Sequence, residues 1–234
     1  MAKLSDLVRT VADLTDVPLS SVTVVARVLR EAELIKSGGR GRGGANMGST
    51  DAAHLLLGVI TLGDTTKAAE VVGGLQQATA QRASVRLDDT RASFTGAAAA
   101  REFPLFAGVS LPKALDHTLA HLDPRDSQTL SRLYQFHDPE QDGDPNWKRS
   151  VGEQTPVSLT VRADKADHWE IALIIDFENG SAIDLDFGLP QSTEATARKK
   201  LRMMQMRQLH APIIEGVVRC IRNEPPRQWP ENEG

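Results

Sequence analysis

Val17-Pro18-Leu19-Ser20-Ser21-Val22-Thr23-Val24-Val25-Ala26-Arg27-Val28-Leu29-Arg30-Glu31-Ala32-Glu33-Leu34-Ile35 is the stretch from which the fold is read. Val22, Val25, Val28 and Leu29 recur at three- and four-residue spacing, which puts them on one side of a helix from about Ser20 to Glu33. Asp16-Val17-Pro18 stops whatever precedes it, because proline lacks an N–H and disfavours helical geometry in the residue before it. Upstream, Leu4, Leu7, Val8, Val11 and Leu14 trace one face of an earlier helix. Ser5 is its expected cap, and Asp6 suits its positive end. Downstream, Leu34-Ile35 is expected to begin a short strand. Lys36–Gly48, dense in glycine and carrying Arg40 and Arg42, is expected to be a loop. Thr50 and Asp51 then start a third helix through Ala53, Leu56, Leu57 and Ile60. Thr65 or Thr66 starts a fourth, from about Lys67 to Arg82.

A helix that enters a DNA groove needs an apolar side for docking and small polar residues at its exposed start. Ser20, Ser21 and Thr23 meet that need, since serine and threonine hydroxyls bond base edges or phosphates. The stretch resembles the turn and recognition helix of winged helix-turn-helix transcription regulators. The short turn, the Ser/Thr-rich helix start, the Val and Leu spacings, the Leu34-Ile35 pair and the following glycine-containing segment carry the likeness. It spans about residues 4–48, roughly a fifth of the chain; Glu33 stands where the family has a glycine ending the helix. The resemblance implies DNA contacts from Ser20, Ser21, Thr23 and Arg27 on the helix and from Lys36, Arg40 and Arg42 on the wing. Arginines in a flexible glycine loop track phosphates or enter a narrow minor groove. Arg40-Gly41-Arg42 also resembles the core of an AT-hook, with Gly43 in place of the proline that normally follows.

Further along, Val157, Leu159 and Val161 alternate with Ser158, Thr160 and Arg162, the period of a half-buried strand. His168–Phe177 and Ser181–Phe187 flank Asn179-Gly180, a hairpin signal. A three-residue loop, Glu178-Asn179-Gly180, puts glycine at the left-handed position, where it costs least. Phe177 then faces Ser181, Ile175 faces Ile183, Leu173 faces Leu185 and Ile171 faces Phe187, making one apolar face. Asp176, Asp184 and Asp186 go to the other. A two-residue loop would mix the faces. Ser192 or Thr193 is expected to cap a long helix that Pro212 interrupts or kinks, with Ile213, Ile214, Val217, Val218 and Ile221 as its apolar stripe. A three-stranded meander with one face covered by that helix is the economical arrangement.

Composition bounds the function. The chain has 234 residues, 40% apolar and 25% charged, and a net charge of −4, which excludes a wholly basic nucleic-acid coat but not local basic patches. The single cysteine, Cys220, excludes an internal disulfide framework and a cysteine-cluster zinc site. No apolar run approaches about 18 residues, and the N-terminus has no basic start followed by an apolar stretch, so a cytoplasmic chain with no membrane partner is expected.

The remaining constellations are weaker. Gly39-Arg40-Gly41-Arg42-Gly43-Gly44 satisfies G-x-G-x-x-G, but it follows a helix rather than a strand. Asp138-Pro139-Glu140-Gln141-Asp142-Gly143 begins like a calcium loop, yet Arg149 stands where the bidentate glutamate belongs. His117 and His121 share a helix face, but Leu115, Leu119 and Leu122 explain that helix by packing. Asp176, Asp184 and Asp186 would suit Mg²⁺, against the commoner reading of a solvated face. Arg198, Lys199, Lys200 and Arg202 make a second basic patch at a helix start, where positive charge opposes the dipole and invites an anion.

The expectation is therefore an α+β protein in three parts. Residues 1–75 form a winged helix-turn-helix DNA-binding domain. Residues 76–155 form a helical connector and acidic loop. Residues 156–234 form a small antiparallel sheet packed by a long C-terminal helix, for dimerisation or sensing. Double-stranded DNA and a second copy of the chain are the expected partners, with no cofactor, metal or catalytic residue. The alternatives are a DNA-associated replication, recombination or packaging adaptor of a mobile element, and a protein-interaction module without a DNA role.

Overall fold

The computed structural model describes residues 2–37, 45–60, 65–87, 90–95, 109–121, 154–164, 168–177, 182–188, 207–209 and 211–225. Helix α1 (Leu4–Thr15) buries Leu7, Val8, Val11 and Ala12, the face set by their spacing. Its cap is not Ser5. The N-cap is Lys3, two residues earlier, and the Asp6 carboxylate accepts the N–H of Lys3 at 3.0 Å, the acidic half of a capping box. Asp16 turns the chain with a left-handed φ of 53°, and α2 (Leu19–Glu31) follows directly on Pro18. Val22, Val25, Ala26 and Leu29 are buried on its inner side.

No strand begins at Leu34-Ile35. The segment bends instead, and Ile35 is buried in the core. The bend has a local cause. The N–H of Leu34 bonds the carbonyl of Leu29 at 2.9 Å and that of Glu33 bonds Arg30 at 3.1 Å, a Schellman closure with Glu33 left-handed at φ 59°. That reversal turns the chain out of α2 and back against the third helix.

Helix α3 (Ser49–Ile60) is the centre of the molecule: every residue from Asp51 to Ile60 is buried. Its apolar residues run around the cylinder, which suits a helix surrounded by protein. Helix α2 approaches closely at Gly58, where a Cβ would sit 2.8 Å from Val25 Cγ1 and 3.1 Å from Leu29 Cδ1. On another side α3 meets α5 (Leu111–His121), which buries Leu111, Ala114, Leu115 and Leu119.

The fourth helix is shorter than its sequence suggests. After a 3₁₀ turn (Thr65–Lys67), α4 (Ala68–Leu75) ends, and strand β1 (Thr79–Leu87) occupies residues expected to be helical up to Arg82. Gly73 and Gly74 each cost a helix about 1 kcal/mol relative to alanine. Beyond them Ala83, Val85 and Leu87 alternate with Arg82, Ser84 and Arg86, a two-residue period that favours a strand.

Among the described residues the strands form a six-stranded antiparallel sheet, in the order β2-β1-β5-β4-β3-β6. Its other strands are β2 (Thr90–Thr95), β3 (Gln154–Asp164), β4 (His168–Phe177), β5 (Ala182–Gly188) and β6 (Arg207–Leu209). The three-stranded meander β3-β4-β5 is thus the middle of a larger sheet. β1 and β2 come from the zone read as a helical connector. In the β4–β5 ladder Ile171 pairs with Phe187, Leu173 with Leu185 and Ile175 with Ile183. These are the pairs of the three-residue-loop register, and Leu173, Leu185 and Phe187 are buried. The expected long C-terminal helix is also corrected. Strand β6 lies at 207–209, and α6 (Ala211–Arg222) begins after it with Pro212 in its first turn, where a missing N–H costs nothing.

One hydrophobic core runs through all three zones. Leu7, Val25 and Leu56 of the N-terminal helices, Leu115 of α5, Leu173 and Leu185 of the sheet, and Ile214, Val217 and Val218 of α6 belong to the same cluster. α6 lies against α1, so closely that a Cβ on Gly216 would meet Leu14 Cδ1 at 2.5 Å. Among the described residues, no helix is long and apolar enough to cross a membrane.

Candidate nucleic-acid interface

The inner side of α2 is committed to α3, which leaves its outer side to solvent. Ser20, Thr23 and Arg27 lie there, and Ser21 is half-buried. Thr23 Oγ1 donates back to the carbonyl of Leu19 at 2.7 Å, which leaves its oxygen to act as an acceptor. Arg27 lies 3.8 Å from Glu31 one turn on; both side chains are more than half exposed, so the pair constrains Arg27 little. Arg30 extends the same exposed surface.

Lys36 stands at the entrance to the Gly/Arg loop, with its side chain 62% exposed. Its surroundings were not foreseen from sequence. The Asp51 carboxylate is 2% exposed and accepts two backbone N–H groups from opposite ends of the loop, Lys36 at 2.9 Å and Gly48 at 2.8 Å. The Lys36 ammonium lies 3.6 Å from the same carboxylate. One turn along α3, His54 Nδ1 donates to the carbonyl of Leu34 at 2.6 Å. Asp51 and His54 thus hold the chain where it arrives from α2, and Asp51 also holds it where it enters α3. Two further contacts fix the return: Met47 N–H donates to the Ala2 carbonyl at 2.9 Å, and Lys3 Nζ to Asn46 Oδ1 at 3.0 Å.

A buried carboxylate is costly unless its oxygens are satisfied. Here two amides and one ammonium do so, which explains why an aspartate stands in a helix otherwise lined with Ala, Leu and Val. The available signal in the sequence was the position of Asp51, three residues after Gly48, which suits the acidic member of a capping box. Nothing local to it announces Lys36, fifteen residues away.

Arg40 and Arg42 lie outside the described residues, as does the second basic patch of Arg198, Lys199, Lys200 and Arg202. Asp176, Asp184 and Asp186 take register positions opposite Ala182, Ile174 and Ala172. On α5, the His117 and His121 rings lie 4.1 Å apart between centroids, and His121 Nδ1 donates to the His117 carbonyl at 2.8 Å. Burial first, and His121 second, hold the pKa of His117 below its usual value. Among the described residues, no three metal-ligating side chains come together. Cys220 faces Thr10 of α1, and burial raises its pKa, which favours the less reactive thiol.

Comparison with protein-family models, with curated proteins and with solved structures finds no match to this chain.

Proposed function

We propose that the chain binds double-stranded DNA through α2 and the loop that follows it, and acts as a transcriptional regulator. The observation that carries this reading is the division of α2 into two sides. Val22, Val25, Ala26 and Leu29 are buried, while Ser20, Thr23 and Arg27 are exposed, with exposed Lys36 beyond the helix end. In this reading Ser20, Thr23 and Arg27 approach base edges and phosphates, with a smaller part for half-buried Ser21. Lys36, Arg40 and Arg42 serve as a wing on the backbone or in the minor groove. Charge supports this polarity. Asp13 and Asp16, exposed just before α2, repel phosphate at that end, whereas Arg27, Arg30 and Lys36 attract it at the other. One short helix reads few base pairs, so a homodimer doubles the site, with the C-terminal sheet and α6 supplying dimerisation or sensing.

The test is the double variant Arg40→Ala/Arg42→Ala in a fluorescence-anisotropy titration of duplex DNA. The reading expects weaker binding to all sequences and a salt slope shallower by about 2, one per lost phosphate contact. Unchanged binding removes the wing.

A second reading is favoured by Leu19, exposed to 50% beside Asp13 and Asp16 at the start of α2. An exposed apolar residue close in sequence to exposed Asp13 and Asp16 suits a protein partner better than phosphate, as in a DNA-associated adaptor. Broad DNA binding without a preferred sequence, together with loss of a partner in Leu19→Ser, would favour that reading.

A further inference from the structure

We infer that Asp51 is the positioning residue of the cationic loop; the inference rests on the DNA-binding reading and adds to it the device that fixes the loop's two ends. The observation is the clamp: one buried carboxylate accepts the N–H groups of both Lys36 and Gly48, at 2.9 and 2.8 Å. Two amides on one carboxylate hold Lys36 and Gly48, which flank the loop, at one point on the surface. That point belongs to α3, the most buried helix, and the same helix supports α2 through Gly58. α2 and the loop base are therefore referenced to one rigid element, the condition for a site held in fixed geometry.

The arrangement also assigns Lys36 a role. Its ammonium is 3.6 Å from Asp51, so it completes the carboxylate's neutralisation before any phosphate arrives. Lys36 thereby acts as a strut at the loop base and, 62% exposed, still presents charge to a phosphate alongside the arginines. The backbone N–H groups, unlike side-chain donors, cannot swing away, so the clamp fixes the chain path rather than a rotamer.

The experiment uses Asp51→Asn in the full chain, with Gly216→Ala at the α1–α6 contact as a control of reduced stability away from the loop. Amide hydrogen exchange is read at Lys36 and Gly48, and anisotropy titrations of a random-sequence duplex are run at two salt concentrations. Asparagine keeps one acceptor and puts an NH₂ against the other amide. The expected result is faster exchange at Lys36 or Gly48 with α3 amides still protected, an affinity lower by about tenfold, and a salt slope shallower by about 1–2. Gly216→Ala retains wild-type affinity and slope. Asp51→Asn with fast-exchanging amides but wild-type affinity and slope would overturn the inference alone. A wild-type chain that binds no duplex at low salt would overturn the DNA reading and the positioning role with it. If Asp51→Asn does not fold, Gly48→Pro deletes one of the two donors and leaves the carboxylate in place; it carries the same expectations.

Discussion

Two carboxylate–cation clusters in this molecule follow the same local event and do different things with it. At the end of α2, Glu33 turns left-handed and the chain runs to Lys36 and Asp51. At the end of α6, Asn223 turns left-handed with φ 60°, and the chain runs to Glu224, which lies 3.9 Å from Arg219. Both ends close alike, the second through Asn223 N–H to Cys220 at 2.9 Å and Glu224 N–H to Arg219 at 2.8 Å. In the second cluster Arg219 donates from Nε and Nη2 to Glu215 at 3.1 and 3.0 Å, and all of its members lie on or next to one helix. It secures a helix end. In the first, the carboxylate holds main-chain amides, one of them fifteen residues away. It fixes the path of a connection. The lesson is that the reach of an acid, and whether it holds backbone or side chain, decides whether it organises a site.

The largest expected effect breaks the first cluster. Asp51→Ala leaves two amides without their acceptor, each worth about 1–3 kcal/mol, so a loss of about 3 kcal/mol is expected in chemical denaturation. Removing the second cluster costs less, because its Arg219, Glu215 and Glu224 side chains are 16%, 16% and 11% exposed against 2% for Asp51, and it holds no main-chain amide. Arg219→Met should lower stability by about 1–2 kcal/mol in the same assay. A larger loss from Arg219→Met than from Asp51→Ala would reverse the comparison.

The helix ends sharpen it. A non-glycine residue in left-handed geometry costs about 1–2 kcal/mol, less for asparagine. Glu33→Gly should therefore stabilise the fold by about 1 kcal/mol, and Asn223→Gly by a few tenths at most, as read from thermal midpoints. Equal gains at the two sites would mean that the turn geometry is not what distinguishes them.

The smallest effect is a pH dependence on α5, whose Ala120 carbonyl accepts Arg222 beyond the second cluster at 3.3 Å. Burial, then His121, lowers the His117 pKa below 6.5. The unfolded chain therefore binds this proton more readily than the folded one. The stability tied to neutral His117 is complete above pH 6.5 and declines as pH falls below it toward the lowered value. His117→Gln should show a slightly smaller drop in thermal midpoint between pH 7.5 and 5.5 than the wild type.

Where the sequence was readable, short-range physics was in control. The faces of α1 and α2 follow from Leu and Val spacing. The β4–β5 pairs follow from placing Gly180 at the loop and keeping Ile171, Leu173 and Ile175 on one side. Even the glycine position at Glu33 was visible, as a residue out of place at a helix end. The failures came where a local signal was outvoted. Val71 and Val72 continue a helical pattern that Gly73-Gly74 weakens and that stops at Leu75, and β1 then finds partners in β2 and β5, the latter about a hundred residues away. The helix expected through Pro212 gives way to β6, because a proline at the second residue of α6 starts a helix more readily than it sits inside one. Asp51 looked like a helix-starting acid. Its hold on Lys36 needs the reversal at Glu33 and the burial of α3, neither of which is local to it.

The central claim is that α2 and the loop clamped beside it form a DNA-reading surface. The most direct measurement is anisotropy binding of the purified wild-type chain to a randomised duplex pool at two salt concentrations, with the retained sequences read out. The account predicts binding that weakens steeply with salt and enrichment of a palindromic site, as a two-fold pair of α2 helices requires. No binding at low salt would contradict it.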